Sequence, residues 1–226
     1  MAKAIAIIPA RGGSKRIPKK NIKDFFGKPL IAYSIQTALK SELFEKVVVS
    51  TDDKEIAKIA KEYGAEVLKR PKELADDFIG TEDVTKHALS VYKGYEFACT
   101  IYATAPMLDE KYLKEGLNKL KNSDATNAFS ATSMPFPIQR TFKIADERCV
   151  MFTPEHYMTR SQDLEEAYQD AGQFYWEKIG IESKEIMFGK DSIPILLPRH
   201  LVQDIDTLED WKRAEILYRV IYEDTL

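Results

Sequence analysis

Residues 6–21 read AIIPARGGSKRIPKKN. Arg11, Lys15, Arg16, Lys19 and Lys20 share this stretch with Gly12, Gly13, Pro9 and Pro18, directly behind a short apolar run. It is too basic for a core and too rich in glycine for a helix, so it reads as a loop that meets an anion. Glycines let backbone N–H groups approach phosphate oxygens with no Cβ in the way, while Arg11, Lys15 and Lys20 supply charge. A polyphosphate is the natural ligand. Arg16 and Lys19 read as bystanders. The spacing matches neither GxxxxGK[ST] nor GxGxxG, which excludes a Walker loop and a dinucleotide fingerprint.

A second constellation lies near the other end of the chain, where Asp204 and Asp206 flank Ile205. Side chains two apart in an extended segment point the same way, so both carboxylates can address one cation, and their hard oxygens suit Mg²⁺ completed by substrate phosphates. The competing reading makes Asp206 or Thr207 the cap of the last helix. Asp52 and Asp53 read as caps, and Asp76 and Asp77 as a polar turn. His87 and His200 have no recognisable partner. His156, beside Tyr157 and close to Arg160, reads either as a docking point for an acidic ligand or as a surface or subunit contact.

The elements that must position these groups alternate. Ala4 to Ile8 suits a strand buried on both faces, and a helical period follows through Leu30, Tyr33, Ile35, Ala38 and Leu39. Val47 to Thr51 reads as a second buried strand, followed by a helix from Lys54 to Tyr63 that Asp52 or Asp53 caps and Gly64 ends. Strands at Ala65 to Leu68, Phe97 to Tyr102 and Thr126 to Thr132 alternate with helices from Glu82 to about Lys93 and from Glu110 to Leu120. This β-loop-α series predicts an open, mainly parallel α/β sheet with helices on both faces. The rhythm breaks over residues 134–170, read as an excursion inserted into a core of residues 1–133 and 171–226. Strands resume at Gln173 to Lys178 and Ile193 to Leu197, before a helix from Thr207 to Tyr222.

Bulk properties narrow the partners. With 226 residues, 44% hydrophobic, the chain can fill a sizeable core. A balance of 33 Lys+Arg against 36 Asp+Glu gives a net charge of -3, so no global basic field favours nucleic acid and any anion site is local. Cys99 and Cys149 have neither metal-like spacing nor the makings of a disulfide framework, as expected of free thiols in a reducing compartment. The apolar stretch ending at Pro9 is too short for a signal peptide or a membrane span. A cytoplasmic protein with no membrane partner is expected.

Ile8-Pro9-Ala10-Arg11-Gly12-Gly13-Ser14-Lys15, followed by Pro18, Lys20 and Asn21, resembles the amino-terminal motif of the CMP-sialic acid synthetases, or acylneuraminate cytidylyltransferases. Further matches are VVVSTDD at 47–53, RPKELADD at 70–77 and QDIDT at 203–207. Members acting on N-acetylneuraminate commonly carry Gln-Pro-Thr-Ser-Pro where this chain has Tyr102-Ala103-Thr104-Ala105-Pro106, and Asn-Gly-Ala-Ile-Tyr where it has Ala171-Gly172-Gln173-Phe174-Tyr175. IYATAP, RPKELADD and TRSQDLEEAYQDAGQFYW together look like the pseudaminic acid branch. A transferase acting on a sugar 1-phosphate would usually show a GxGxRLxPxT loop, absent here.

The resemblance implies a Rossmann-like nucleotide-diphospho-sugar transferase fold and transfer of CMP from CTP to an acidic nine-carbon sugar, with release of pyrophosphate. It implies Arg11 and Lys20 at the triphosphate with Lys15 in support, and Asp204 and Asp206 as Mg²⁺ ligands. Ala10, Gly12 and Gly13 of the loop, with Asn21, Arg70 and Thr81, would hold the nucleotide. Arg160 is the candidate for the sugar carboxylate, with Tyr102, Gln173 and Tyr175 reading its other substituents. The general base stays open between metal-bound hydroxide, an aspartate acting through water, and the substrate itself. Phe136, Phe142, Phe152 and Tyr157 in the excursion point to a homodimer, the alternative being that they pack back on their own domain. N-Acetylneuraminate and legionaminate are the alternative sugars, and a nucleotide-binding regulatory module without turnover is the rival from another class.

Overall fold

The computed structural model describes residues 3–76, 79–181, 183 and 185–223. Asp77, half of the expected polar turn, lies outside them. The elements run β1 (Ala4–Pro9), a two-strand hairpin β2 (Asp24–Phe25) and β3 (Lys28–Pro29), α1 (Leu30–Lys40), β4 (Lys46–Thr51), α2 (Lys54–Glu62) and β5 (Glu66–Lys69). Then come α3 (Thr81–Val91), β6 (Phe97–Ile101), α4 (Glu110–Lys121), β7 (Asn127–Ser133), β8 (Phe142–Ala145), β9 (Arg148–Met151), β10 (Tyr168–Lys178), β11 (Ser192–Leu196) and α5 (Leu208–Tyr222).

Both faces of β1 are apolar, so it must lie where both are covered. It pairs in parallel with β4 on one side and β6 on the other. Ala4, Ala6 and Ile8 pack with α1, α2 and α4, while Ile5 and Ile7 pack with Ala88 of α3 and Val48. That alternation is the period of two expected of a strand between two helical layers. The described residues form a seven-stranded sheet of order β11-β7-β10-β6-β1-β4-β5, in which β10 runs antiparallel to both of its neighbours. Loops that follow β1, β4 and β6 therefore emerge at one edge of the sheet, where ligands of open α/β folds bind.

Two sequence expectations change. β10 begins at Tyr168 rather than Gln173, because Tyr168, Gln169 and Asp170 pair with Ser133, Thr132 and Ala131 before the register shifts. The excursion accordingly ends at residue 167. Gly172, at φ 62°, supplies the irregularity that hides this start from a period-two reading. The excursion also contains an unexpected hairpin, β8 with β9, closed by Asp146 and Glu147 at φ 49° and 60°. Such two-residue turns usually carry asparagine and glycine, so the sequence gives no turn signal here. Phe136 and Tyr157 of the excursion stand 78% and 70% exposed within the single chain, rather than folded back on it.

α4 lies on the sheet through Gly116, where an added Cβ would come within 2.8 Å of Trp176 Cδ1 and 3.2 Å of Phe174. Trp176 is fully buried and stacked on Phe44 at 5.2 Å, so its ring has nowhere to go. An exposed helical glycine would gain up to about 1 kcal/mol on replacement by alanine. Here overpacking should outweigh that gain: Gly116→Ala is expected to lower stability by about 1–2 kcal/mol in urea unfolding. A more stable variant would show that the Trp176 contact yields.

Candidate nucleotide site at the end of the central strands

The loop after β1 is anchored at both ends. Ala10 N–H donates to Ser50 O (3.0 Å) at the end of β4, and Ile17 is buried in a cluster with Phe25, Leu30, Tyr33, Ile205 and Trp211. Lys19 adopts the left-handed conformation (φ 53°), and the short turn it opens carries Lys20 inward. There Lys20 Nζ donates to Ile205 O (2.5 Å) and faces Asp206 Oδ1 at 3.3 Å. Burial of Ile17 and Ile205 in one cluster thus brings the basic loop against the acidic segment.

The two readings of each acidic pair now separate. Asp53 caps α2, accepting from Glu55 N–H (2.7 Å) and Ile56 N–H (3.0 Å). Asp52 instead reaches back to the basic loop, where Gly12 N–H donates to its Oδ1 (3.0 Å). Thr207 caps α5 in a reciprocal box with Asp210, so the Asp206 side chain has no capping duty. Asp206 sits between two cations, Lys20 on Oδ1 and Arg16 on Oδ2 at 2.8 Å. Arg16 is therefore no bystander, whereas Lys19 pairs with Glu55 at the surface. Nearby protein atoms, and then the charge of Asp206, push the Asp204 carboxyl above its usual range, although its side chain reaches solvent.

A cleft of about 530 Å³ opens beside this cluster. Arg11, Lys15, Lys20, Asn21, Arg70, Thr81, Tyr102 and Asp206 line it, together with Arg16. Asn21 is fixed by donating to Arg11 O (3.0 Å). Arg70 is buried, its guanidinium donating to Ser50 O (2.7 Å) and Ser50 Oγ (3.3 Å). That burial lowers its pKa, opposed by Asp52 and reinforced by Arg11, so three residues from the loops after β1, β4 and β5 act in one field. Thr81 opens α3 and lines the same cleft together with Gly80 and Val84.

The remaining named residues lie elsewhere. Ala10 is buried, and neither it nor Gly12 or Gly13 lines the cleft. Arg160 stands in the excursion with its fork closed on Asp163 at 2.7 and 3.1 Å, so the guanidinium does not reach this cleft within the chain. Gln173 is turned into the sheet, donating to Leu201 O (2.6 Å), with its Oε1 buried and unpartnered. Tyr175 stands behind Tyr102, ring centroids 5.2 Å apart. Arg16 and Asp52 are the two contributors that sequence reasoning missed, because each acts through a partner distant in the chain. Among the described residues no group of three or more His, Cys, Asp or Glu is placed to hold a metal. Asp204 and Asp206 fit an ion that takes one or two carboxylates and completes its shell with phosphates and water, as Mg²⁺ does.

The cytidylyltransferase family profile matches residues 5–205. The chain belongs to this family. It is 45% identical to a pseudaminic acid cytidylyltransferase of Campylobacter jejuni over 229 aligned residues, covering 98% of each chain. It is 42% identical to a Helicobacter pylori protein that is both a pseudaminic acid cytidylyltransferase and a UDP-2,4-diacetamido-2,4,6-trideoxy-beta-L-altropyranose hydrolase, over 90% of this chain and 40% of that one. Among solved structures, CMP:2-keto-3-deoxy-manno-octonic acid synthetase in complex with CTP superposes with a TM-score of 0.70 at 17% identity, covering 97% of this chain and all of that one. That likeness supports the cytidylyltransferase fold.

Gly12 is the tightest point of the loop, since an added Cβ would lie 2.8 Å from Asp53 Oδ2 and 2.9 Å from Asp53 Cβ. Asp53 cannot retreat without uncapping α2. Gly12→Ala is expected to weaken CTP binding at least tenfold in calorimetric titration, with a folded protein by circular dichroism. Unchanged affinity would mean that the loop's path is not set by this approach.

Proposed function

We propose that this cytidylyltransferase transfers CMP from CTP to pseudaminic acid, releasing pyrophosphate. The observation that supports the sugar is the 45% identity to the Campylobacter jejuni pseudaminic acid cytidylyltransferase over 98% of both chains. The reaction asks the protein to align two anions and neutralise charge as the anomeric hydroxyl attacks the α-phosphorus, and it needs no covalent enzyme intermediate. Arg11, Lys15 and Lys20 are the groups for the triphosphate, and Arg16 joins them when a phosphate draws it from Asp206. Arg70, Asn21 and Thr81 bound the space for cytidine and ribose. Mg²⁺ held by Asp204 and Asp206 would neutralise phosphate charge and orient the leaving pyrophosphate.

The sugar pocket is read as lying beyond Tyr102, and the exposed aromatics of residues 134–167 as the contact that pairs two chains into a homodimer, with Arg160 close to that contact. Phe136, Ile144, Phe152 and Tyr157 form more exposed apolar surface than a solitary loop carries. As a consumer of CTP the protein is assigned to the cytoplasm. Among the described residues no helix is long and apolar enough to cross a membrane.

Pyrophosphate release with CTP and Mg²⁺, offering pseudaminic, legionaminic and N-acetylneuraminic acids in parallel, tests the reading. Turnover with pseudaminic acid is expected, falling roughly a hundredfold or more in Asp206→Ala. Turnover with another of the three sugars alone would reassign the substrate. CTP binding with no release in any arm would contradict the enzymatic reading and favour a regulatory module.

A further inference from the structure

The peptide unit that joins Arg11 to Gly12 is gripped at both ends. Arg11 O accepts from Asn21 Nδ2 (3.0 Å), and Gly12 N–H donates to Asp52 Oδ1 (3.0 Å). In a trans peptide the C=O and N–H point in opposite directions, so two side chains hold one plane from opposite sides. Such a grip is needed here, because two consecutive glycines leave the backbone its widest freedom, and a Cβ added at Gly13 would meet nothing within 4 Å among the described residues. Ser14 N–H donates to Gly12 O (3.0 Å), which fastens the next part of the loop to the gripped unit. Arg11, Ser14 and Lys15 line the cleft, whereas Gly12 does not. The Gly12 N–H is thus spent on Asp52, and its neighbours are the residues that face the ligand.

The turn that carries Asp52 is built by its other members. Asp53 caps α2, and Asp53 N–H donates to Thr51 Oγ1 (3.1 Å). By charge alone a carboxylate beside a polyphosphate site is unfavourable, since it repels the phosphates that Arg11 and Lys15 attract. The field of Asp52 does reach the cleft wall, where it opposes the lowering of the Arg70 pKa. What Asp52 holds, rather than its charge, accounts for a carboxylate in this place.

We propose that Asp52 is a positioning residue for the nucleotide site: with Asn21 it clamps the Arg11–Gly12 peptide and so sets Arg11 and Lys15 for the triphosphate before CTP arrives. Asp52 acts through the loop and touches no reacting atom. The inference rests on the reading of this cleft as the CTP site. A loop ordered in advance loses less conformational freedom on binding, so the clamp is read in CTP affinity.

Asp52→Asn and Asp52→Ala separate the clamp from the charge. The side-chain oxygen of Asn still accepts from Gly12 N–H and Ala offers no acceptor, while both remove the charge. In calorimetric titration of the full chain with CTP and Mg²⁺, D52A is expected to weaken binding about fivefold or more, and D52N to leave it within about twofold of wild type or to tighten it. Tighter binding in both variants would show a carboxylate that only repels, and equally weaker binding in both would show that its charge is what counts. Either result overturns the clamp. In steady-state assays with whichever of the three sugars turns over, D52A is expected to raise KM for CTP and to keep KM for the sugar within about twofold of wild type. An equal rise in both KM values shows a general disturbance of the fold and overturns the positioning role. Should D52A not fold, Asp52→Ser, whose hydroxyl ends one bond short of the Oδ1 position, is judged by the same criteria. A wild type that does not bind CTP overturns both the reading of the cleft and this inference, whereas a wild type that binds CTP with an indifferent D52A overturns this inference alone.

Discussion

Burial of Ile17 and Ile205 in one apolar cluster is the constraint on which the cleft depends. Each isoleucine sits inside a charged segment, the first among the cations of the loop after β1 and the second between Asp204 and Asp206. Removing both from water fixes the two segments side by side without requiring opposite charges to find each other at the surface, where an exposed pair contributes little. Electrostatics then works at short range. Lys20 reaches the Ile205 carbonyl and Asp206, and Arg16 closes on the other Asp206 oxygen. The cluster is extended by Trp211 and Ala214 of α5, so the last helix holds the acidic segment in place as well as covering the fold.

The sheet supplies the second half of the arrangement. β1 and β4 run in parallel and end together, so the basic loop meets the end of β4 at Ser50 and the turn carrying Asp52 and Asp53 at one edge. Ser50 ties them by accepting from Ala10 and from Arg70. β10 breaks the parallel order, and its irregularity near Gly172 places Tyr175 against Tyr102 at the same edge. The parallel half of the sheet carries the cations of the cleft, and the antiparallel β10 brings Tyr175 against Tyr102, which follows β6.

Much of this was legible in the chain itself because it rests on local pattern. Continuous apolar runs mark β1, β4 and β6, and Asp53, Thr207 and Gly64 mark helix ends by their own chemistry. The glycines and cations of residues 11–20 announce an anion site for the same reason. What was not legible depends on geometry that no short window contains. Arg16 gains its meaning from Asp206, and Asp52 from Gly12, neither a neighbour in sequence. The β8–β9 hairpin turns through Asp146-Glu147, which lacks a turn signature, and the early residues of β10 are masked by a shift in register. The fork of Arg160 closes on Asp163 within the single chain.

The central claim is that the cations now neutralising Asp206 belong to the triphosphate, and that Asp206 belongs to the metal once nucleotide binds. A crystal structure with CTP and Mn²⁺, using anomalous scattering to locate the metal, tests it most directly. The account predicts a metal peak at Asp206, phosphate oxygens on Lys20 and Arg16, and the Arg16–Asp206 pair opened from its 2.8 Å contact. Nucleotide bound with that pair still closed, or a metal peak away from Asp206, would contradict it.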